Sequence, residues 1–342
     1  MKKIACPEGL TYVSGDEPGY TRRKCGRGFV FLDEVRQKLS REQEISRIKS
    51  LKIPPTWQDV WISKNPKAHL QATGYDAKQR KQYLYHPEWV QFRQIAKFDK
   101  MKEFGKLLPD IRIKTSADLK KRGWGKEKVL ALIIQVLDEY HIRIGNKYYK
   151  EQNSTYGLTT LRRKHLEMEK GVGRLEFKAK SGKYRKINLK NNQLVNLIRK
   201  TAELPGYEIF TYKDEDGKFQ AVDSQQVNDY LHQLVGQQFS CKDFRTWGGT
   251  ILTVEKAPLA RKAVEENPRL KLETRLVKEV AVSLGNTVSI CREYYIHPQI
   301  LKRVIKGEEE NYNKRKEVPL PGKKTKMLSD SEIIVLNLLN EL

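Results

Sequence analysis

The sequence predicts an α+β chain of two parts. A small β-rich domain spans residues 1–90, and a mainly α-helical domain with a small β-hairpin sheet spans 91–342. Three observations carry this prediction. Turn signals crowd the first ninety residues and separate short strand-like runs. Helical periodicity takes over beyond about residue 91. A single alternating hairpin interrupts the helices near residue 180.

The N-terminal turn signals are Asp16-Glu17-Pro18-Gly19, Cys25-Gly26-Arg27-Gly28, Pro54-Pro55 and Asn65-Pro66. Between them lie F-V-F-L at 29–32 and D-V-W-I at 59–62, both strand-like. The stretch H-L-Q-A-T-G-Y-D-A-K-Q-R-K-Q-Y-L-Y-H-P at 69–87 reads as two strands joined by a polar loop. Its basic residues and tyrosines fit a face that tracks phosphates, or a solvated edge with buried rings.

In the second part, K-E-K-V-L-A-L-I-I-Q-V-L-D-E-Y-H-I-R-I-G at 126–145 is apolar on most faces and predicts a central helix. Gly145 is the expected stop, which places Arg143 at the helix end, where a charge can leave the core. Taken alone, such an arginine is an ordinary response to the helix dipole. Residues 174–189 predict a hairpin: Leu175, Phe177 and Ala179 alternate with charges, Ser181-Gly182 turns, and Ile187 and Leu189 restore the apolar face. Lys180 and Lys183 flank the turn, and most lysines in such places are merely solvated.

Ser240 is a candidate cap for a helix with Phe244, Trp247, Ile251 and Leu252. Gly248-Gly249 inside it would let another backbone approach closely. Leu272, Leu276, Val280 and Leu284 mark a further helix that Gly285 ends, with Asn286 just beyond. A charged linker or mobile loop over 306–326 precedes a final capped helix, S-D-S-E-I-I-V-L-N-L-L-N-E-L, read as amphipathic.

Bulk properties narrow the function. The 342 residues carry 66 Lys+Arg against 42 Asp+Glu, a net charge of +24. Such a field attracts polyanions, nucleic acid first and an anionic membrane surface second. No apolar run reaches the roughly 18 to 20 residues that span a bilayer. The start, M-K-K-I-A-C-P-E-G-L, lacks the apolar stretch of a secretory signal. Cys6, Cys25, Cys241 and Cys291 form no C-x-x-C pair and no zinc spacing, so free thiols, a cytoplasmic setting and no metal are expected. No G-x-x-x-x-G-K-[ST] loop appears, so no nucleotide cofactor is expected.

Five polar residues suit one chemistry. They are Arg143 in H-I-R-I-G-N, Lys180 in K-A-K-S-G-K, Arg245 in C-K-D-F-R-T-W-G-G-T, Asn286 in L-G-N-T and Tyr295 in R-E-Y-Y-I-H-P. Arginines can fork onto phosphate oxygens and oppose developing charge. A lysine can protonate a leaving sugar oxygen. A tyrosine can attack phosphorus and hold it covalently.

In this order, the motifs resemble type IB DNA topoisomerases of the short poxvirus and bacterial kind. The resemblance covers nearly the whole chain and favours the bacterial branch. Y-V-S-G-D-E-P-G-Y-T-R-R, I-P-P-T-W-Q-D-V-W-I, H-L-Q-A-T-G-Y-D and R-K-Q-Y-L-Y-H-P are similar to that family's β-rich domain. R-I-G-N-K-Y-Y-K-E, Y-G-L-T-T-L-R-R-K-H, K-D-F-R-T-W-G-G-T and L-G-N-T…Y-I-H-P are similar to its catalytic domain.

The resemblance implies Arg143 and Arg245 as phosphate clamps, Lys180 as general acid and Tyr295 as nucleophile. It implies that Asn286 stands where poxvirus enzymes carry histidine. An amide donates a hydrogen bond but carries no charge, which fits oxygen stabilisation. Gln82, Tyr83, Tyr149 and Lys242 are expected substrate contacts. The implied protein is a monomeric clamp on duplex DNA, nucleoid-associated if bacterial. It works through a 3′-phosphotyrosine with neither ATP nor metal, and no general base is visible. A tyrosine recombinase or integrase shares the catalytic architecture but usually carries H-x-x-R where this chain has Lys242-Asp243-Phe244-Arg245. A non-enzymatic basic DNA-binding protein would explain the charge but not the ordered five.

Overall fold

The computed structural model describes residues 6–169, 172–312 and 322–342. The chain divides into two compact units, Met1–Asp99 and Lys100–Leu342.

The first unit is a five-stranded antiparallel sheet of order β2-β1-β3-β4-β5. Its strands are β1 (Tyr20–Cys25), β2 (Gly28–Leu32), β3 (Gln58–Ile62), β4 (Leu70–Tyr75) and β5 (Lys81–Tyr85). The sequence predicted β2 to β5 as strands, and the Cys25–Gly28 turn joins β1 to β2. Helix α1 (Glu42–Ser50) was not foreseen; its Ile48 joins Tyr20, Phe31, Leu39, Val60, Ile62 and Ala72 in one core. The Pro54-Pro55 corner is fastened by Arg22, whose guanidinium donates to the carbonyls of Ile53 (3.0 Å), Pro54 (2.9 Å) and Trp57 (2.8 Å).

Helix α2 (Pro87–Asp99) belongs to this unit, so the boundary falls nine residues later than the sequence suggested. Trp89 of α2 is buried against His69, with ring centroids 4.6 Å apart, and Tyr12 stacks on the same His69 at 4.1 Å. Such aromatic contacts hold the helix to the sheet.

The second unit is mainly helical. It contains α3 (Met101–Leu119), α4 (Lys126–Tyr140), α5 (Lys147–Asn153), α6 (Asn192–Ala202), α7 (Ser224–Val235), α8 (Cys241–Glu266), α9 (Leu272–Leu284), α10 (Val288–Tyr294), α11 (Pro298–Ile305), α12 (Gly322–Thr325) and α13 (Asp330–Asn340). A three-stranded sheet of β6 (Leu166–Glu169), β7 (Val172–Lys178) and β8 (Tyr184–Leu189) contains the expected hairpin, and β9 (Thr211–Lys213) pairs with β10 (Phe219–Ala221).

Helix α4 is central, with eight of its fifteen residues buried, and packs on α3, α6, α7 and α8. Helices α3 and α8 cross where Gly105 leaves room: a Cβ there would lie 2.4 Å from the Trp247 ring. Helix α13 was expected to be amphipathic. Instead every residue from Glu332 to Leu339 is buried. Its one buried carboxylate is paired, as a buried charge must be. Glu332 takes Arg112 Nη2 at 2.7 Å and Trp247 Nε1 at 3.1 Å, and Arg112 Nε also meets Asp138 at 2.7 Å. This network ties α3, α4 and α13 to the same stretch of α8 that carries Arg245.

Candidate active site

Four backbone junctions in the second unit build the site. The first follows α4. The helix ends at Tyr140 rather than Gly145, because His141 takes the left-handed conformation with φ 49°. Arg143 therefore lies in an extended segment beyond the helix. Its carbonyl accepts Leu158 N–H and the Ile144 carbonyl accepts Thr159 N–H, both at 2.8 Å. Gly157 makes this possible: a Cβ would lie 2.6 Å from the Arg143 carbonyl oxygen.

The second junction is the first turn of α8. Ser240 is the N-cap residue, as the sequence suggested, and the Asp243 carboxylate takes Ser240 N–H at 2.8 Å and its hydroxyl at 3.0 Å. Arg245 lies one turn in and is buried. Its two terminal nitrogens are committed, Nη1 to the His141 carbonyl and Nη2 to the Leu284 carbonyl at 3.1 Å. Lys242 is exposed one turn earlier.

The third junction is the end of α9. Gly285 is left-handed (φ 64°), as the sequence predicted for a stop, and turns the chain to Asn286. Arg143 Nη2 donates to Asn286 Oδ1. The fourth is the end of α10, where Tyr295 closes the helix through N–H to Cys291 O at 3.0 Å. The Arg245 guanidinium carbon lies 5.1 Å from the centre of the Tyr295 ring.

Gly248 and Gly249 permit this approach, as their pairing in the sequence suggested. A Cβ on Gly248 would lie 2.4 Å from the His141 ring, and one on Gly249 would lie 2.4 Å from the Tyr295 carbonyl oxygen.

The electrostatics make the Tyr295 phenol more acidic. Burial pushes the Tyr295 phenol up. The Arg245 and Arg143 charges, a hydrogen bond from Arg245 and the Lys180 charge push it down, and it ends below its ordinary 10.0. Burial and the neighbouring Arg143 lower Arg245 to about 10, with Tyr295 pulling the other way. Two buried donors, Arg245 Nε and Asn286 Nδ2, have no hydrogen-bond partner. Unpaired buried donors are costly. An anion within reach of either donor would satisfy it.

The structure thus brings Arg143, Lys180, Arg245, Asn286 and Tyr295 to one place. Of the two turn lysines, Lys180 is the one whose charge bears on Tyr295, while Lys183 Nζ donates to the Asn286 carbonyl at 3.2 Å. The other expected contacts belong to other elements. Gln82 and Tyr83 are on β5 of the first unit: Gln82 donates to Asp76 at 3.1 Å, and Tyr83 is exposed beside Tyr85. Tyr149 belongs to α5, but its side chain lies outside the described residues.

Residues 86–318 match the protein family described as "Eukaryotic DNA topoisomerase I, catalytic core". Residues 28–76 match "Bacterial DNA topoisomerase IB, N-terminal domain". The chain is 30% identical over 290 residues to the DNA topoisomerase 1B of Acanthamoeba polyphaga mimivirus, covering 81% of this chain and 85% of that one. The chain belongs to the type IB DNA topoisomerase family.

The DNA topoisomerase 1B of Vaccinia virus (strain Copenhagen) is 24% identical over 251 residues, covering 73% of this topoisomerase and 75% of the viral one. A solved complex of the XerH recombinase with its difH substrate shares 14% identity at a TM-score of 0.31, covering 69% of this chain and 58% of that one, and decides nothing. The N-terminal match agrees with the bacterial character seen in the motifs. Among the described residues no helix is long and apolar enough to cross a membrane.

For this topoisomerase, Gly249→Ala is expected to push the Tyr295 backbone away from α8. A misplacement of about 1 Å can cost about 100-fold in rate. Single-turnover cleavage should therefore slow by that order while duplex affinity holds. Unchanged cleavage would show that the close approach has no bearing on the tyrosine.

Proposed function

We propose that Tyr295 is the nucleophile with which this topoisomerase opens one strand of supercoiled duplex DNA, and that Arg143, Arg245, Asn286 and Lys180 complete its site. The observation that carries this reading is the convergence of Arg245, Arg143 and Lys180 on a phenol that they make more acidic. The Tyr295 oxygen forms its bond to phosphorus as the bond to the 5′-oxygen breaks. The phenol proton leaves to water, eased by the surrounding cations. The 5′-oxygen takes a proton from the Lys180 ammonium. Arg143, Arg245 and Asn286 oppose the charge that grows on the non-bridging oxygens. The 3′-phosphotyrosine keeps the bond energy, so the freed hydroxyl can reverse the step after the strand has swivelled.

The first unit adds duplex contacts through Gln82 and the Tyr83–Tyr85 face, and Tyr149 and Lys242 add contacts from the second unit. The protein works as a monomer in the cytoplasm, on the nucleoid in a bacterial host. Relaxation of supercoiled plasmid in EDTA without ATP tests the reading. Complete relaxation is expected; a requirement for magnesium or ATP would contradict it.

Lys180 has a sharper test. Lys180→Ala should slow cleavage of an ordinary phosphodiester by about 100-fold or more, since a positioned proton donor contributes about 100- to 10,000-fold. A substrate with sulfur at the 5′-bridging position has a leaving group that needs no proton, and its cleavage should hardly change. Lys183→Ala should show no such selectivity. Equal slowing of both substrates by Lys180→Ala would assign that lysine to phosphate positioning.

A further inference from the structure

Lys180 is exposed at the tip of a hairpin whose turn carries two left-handed residues, Ser181 (φ 64°) and Gly182 (φ 75°). The ladder between β7 and β8 ends at Lys178–Tyr184 and does not itself aim the tip at Tyr295. A second fastening exists one residue into β8. Arg185 leaves the sheet and reaches the end of α9, where Nη1 donates to the Ser283 carbonyl at 3.0 Å and the Val282 carbonyl at 3.4 Å. Carbonyls in the last turn of a helix lack intrahelical donors, and the helix dipole favours a cation there.

The fit is close. A Cβ on Gly285 would lie 2.3 Å from Arg185 Nη1 and 2.4 Å from its Cδ, so the side chain lies flat over the glycine that precedes Asn286. Burial and the Arg143 charge lower Arg185 to about 10, and Arg185 in turn adds to the positive field at Arg245. A cation kept against both penalties is committed to those carbonyls. It therefore joins the strand behind Lys180 to the turn that presents Asn286.

We propose that Arg185 is a positioning residue: it latches the Lys180 hairpin onto the end of α9 and so holds the ammonium at the leaving oxygen. This rests on the reading of Lys180 as the proton donor. The test is single-turnover cleavage of matched ordinary and 5′-bridging-sulfur duplexes by Lys180→Ala, Arg185→Ala, Arg185→Met and the Lys180→Ala/Arg185→Ala pair. Arg185→Met keeps the apolar stem over Gly285 and removes only the fork, which protects the fold.

Both Arg185 variants should slow the ordinary ester about 10- to 100-fold and the sulfur ester less than about threefold, as expected of a misplaced acid. The pair should cleave the ordinary ester no more slowly than Lys180→Ala alone. Equal slowing of both esters by Arg185→Met, or additive losses in the pair, would overturn the latch. If Lys180→Ala is selective and Arg185→Met is not, the latch alone fails. If Lys180→Ala is itself unselective, the proton-donor reading fails.

Discussion

Tyr295→Phe is expected to abolish strand cleavage while leaving duplex binding nearly intact. The substitution removes one oxygen and keeps the ring that stands 5.1 Å from the Arg245 guanidinium. Tyr294 is the obvious rival, since it is the neighbouring residue and belongs to α10 itself. The distinction is the field: Arg245, Arg143 and Lys180 together make Tyr295 more acidic than an ordinary phenol. Gel separation of covalent adducts from Tyr295→Phe and Tyr294→Phe checks the assignment. Adduct from the former and none from the latter would place the nucleophile one residue earlier.

Arg245→Ala should slow cleavage and religation together, by about 100- to 1,000-fold, the usual cost of losing one donor to a developing oxyanion. The same holds for Arg143→Ala. Arg245→Lys should rescue poorly, for a reason specific to this site. The guanidinium holds two carbonyls, His141 and Leu284, and still has Nε to offer. One ammonium cannot replace three separately directed nitrogens. The pH profile provides a second reading. Removing either arginine removes a charge that lowers the Tyr295 phenol, so the rise of cleavage rate with pH should move to higher pH in both alanine variants. Full activity in Arg245→Lys, or an unmoved profile in Arg245→Ala, would contradict the arrangement.

Much of the fold was legible because its signals are local. Strands β2 to β5 follow from alternation between turn residues, and the hairpin follows from Leu175, Phe177, Ile187 and Leu189, all buried as their pattern requires. Gly248-Gly249 announced a close approach, and two side-chain-free positions can have few other uses in a helix. Other features depend on distant partners. Gly145 is the residue that should stop α4, yet His141 stops it, in a conformation that few non-glycine residues adopt. Its ring fits only because Gly248, more than a hundred positions away, lacks a side chain.

Helix α1 was missed because its buried contribution is one residue, Ile48. Helix α13 was read as half-exposed because nothing in its own pattern shows that Arg112 waits for Glu332. The five proposed site residues were read from their motifs, since a lone lysine or arginine carries no local mark. Arg185 was missed for the same reason: its partners are backbone carbonyls almost a hundred residues away, and a carbonyl leaves no trace in the sequence.

The central claim is that Tyr295 holds the DNA. It is tested most directly by trapping the covalent complex on a suicide duplex in EDTA, digesting the protein and sequencing the peptide that carries the nucleotide. The account predicts a phosphate ester on Tyr295, joined to the 3′ end of the cut strand, with a free 5′-hydroxyl on the other piece. A modified Tyr294, a 5′-linked nucleotide, or cleavage with no adduct would contradict it.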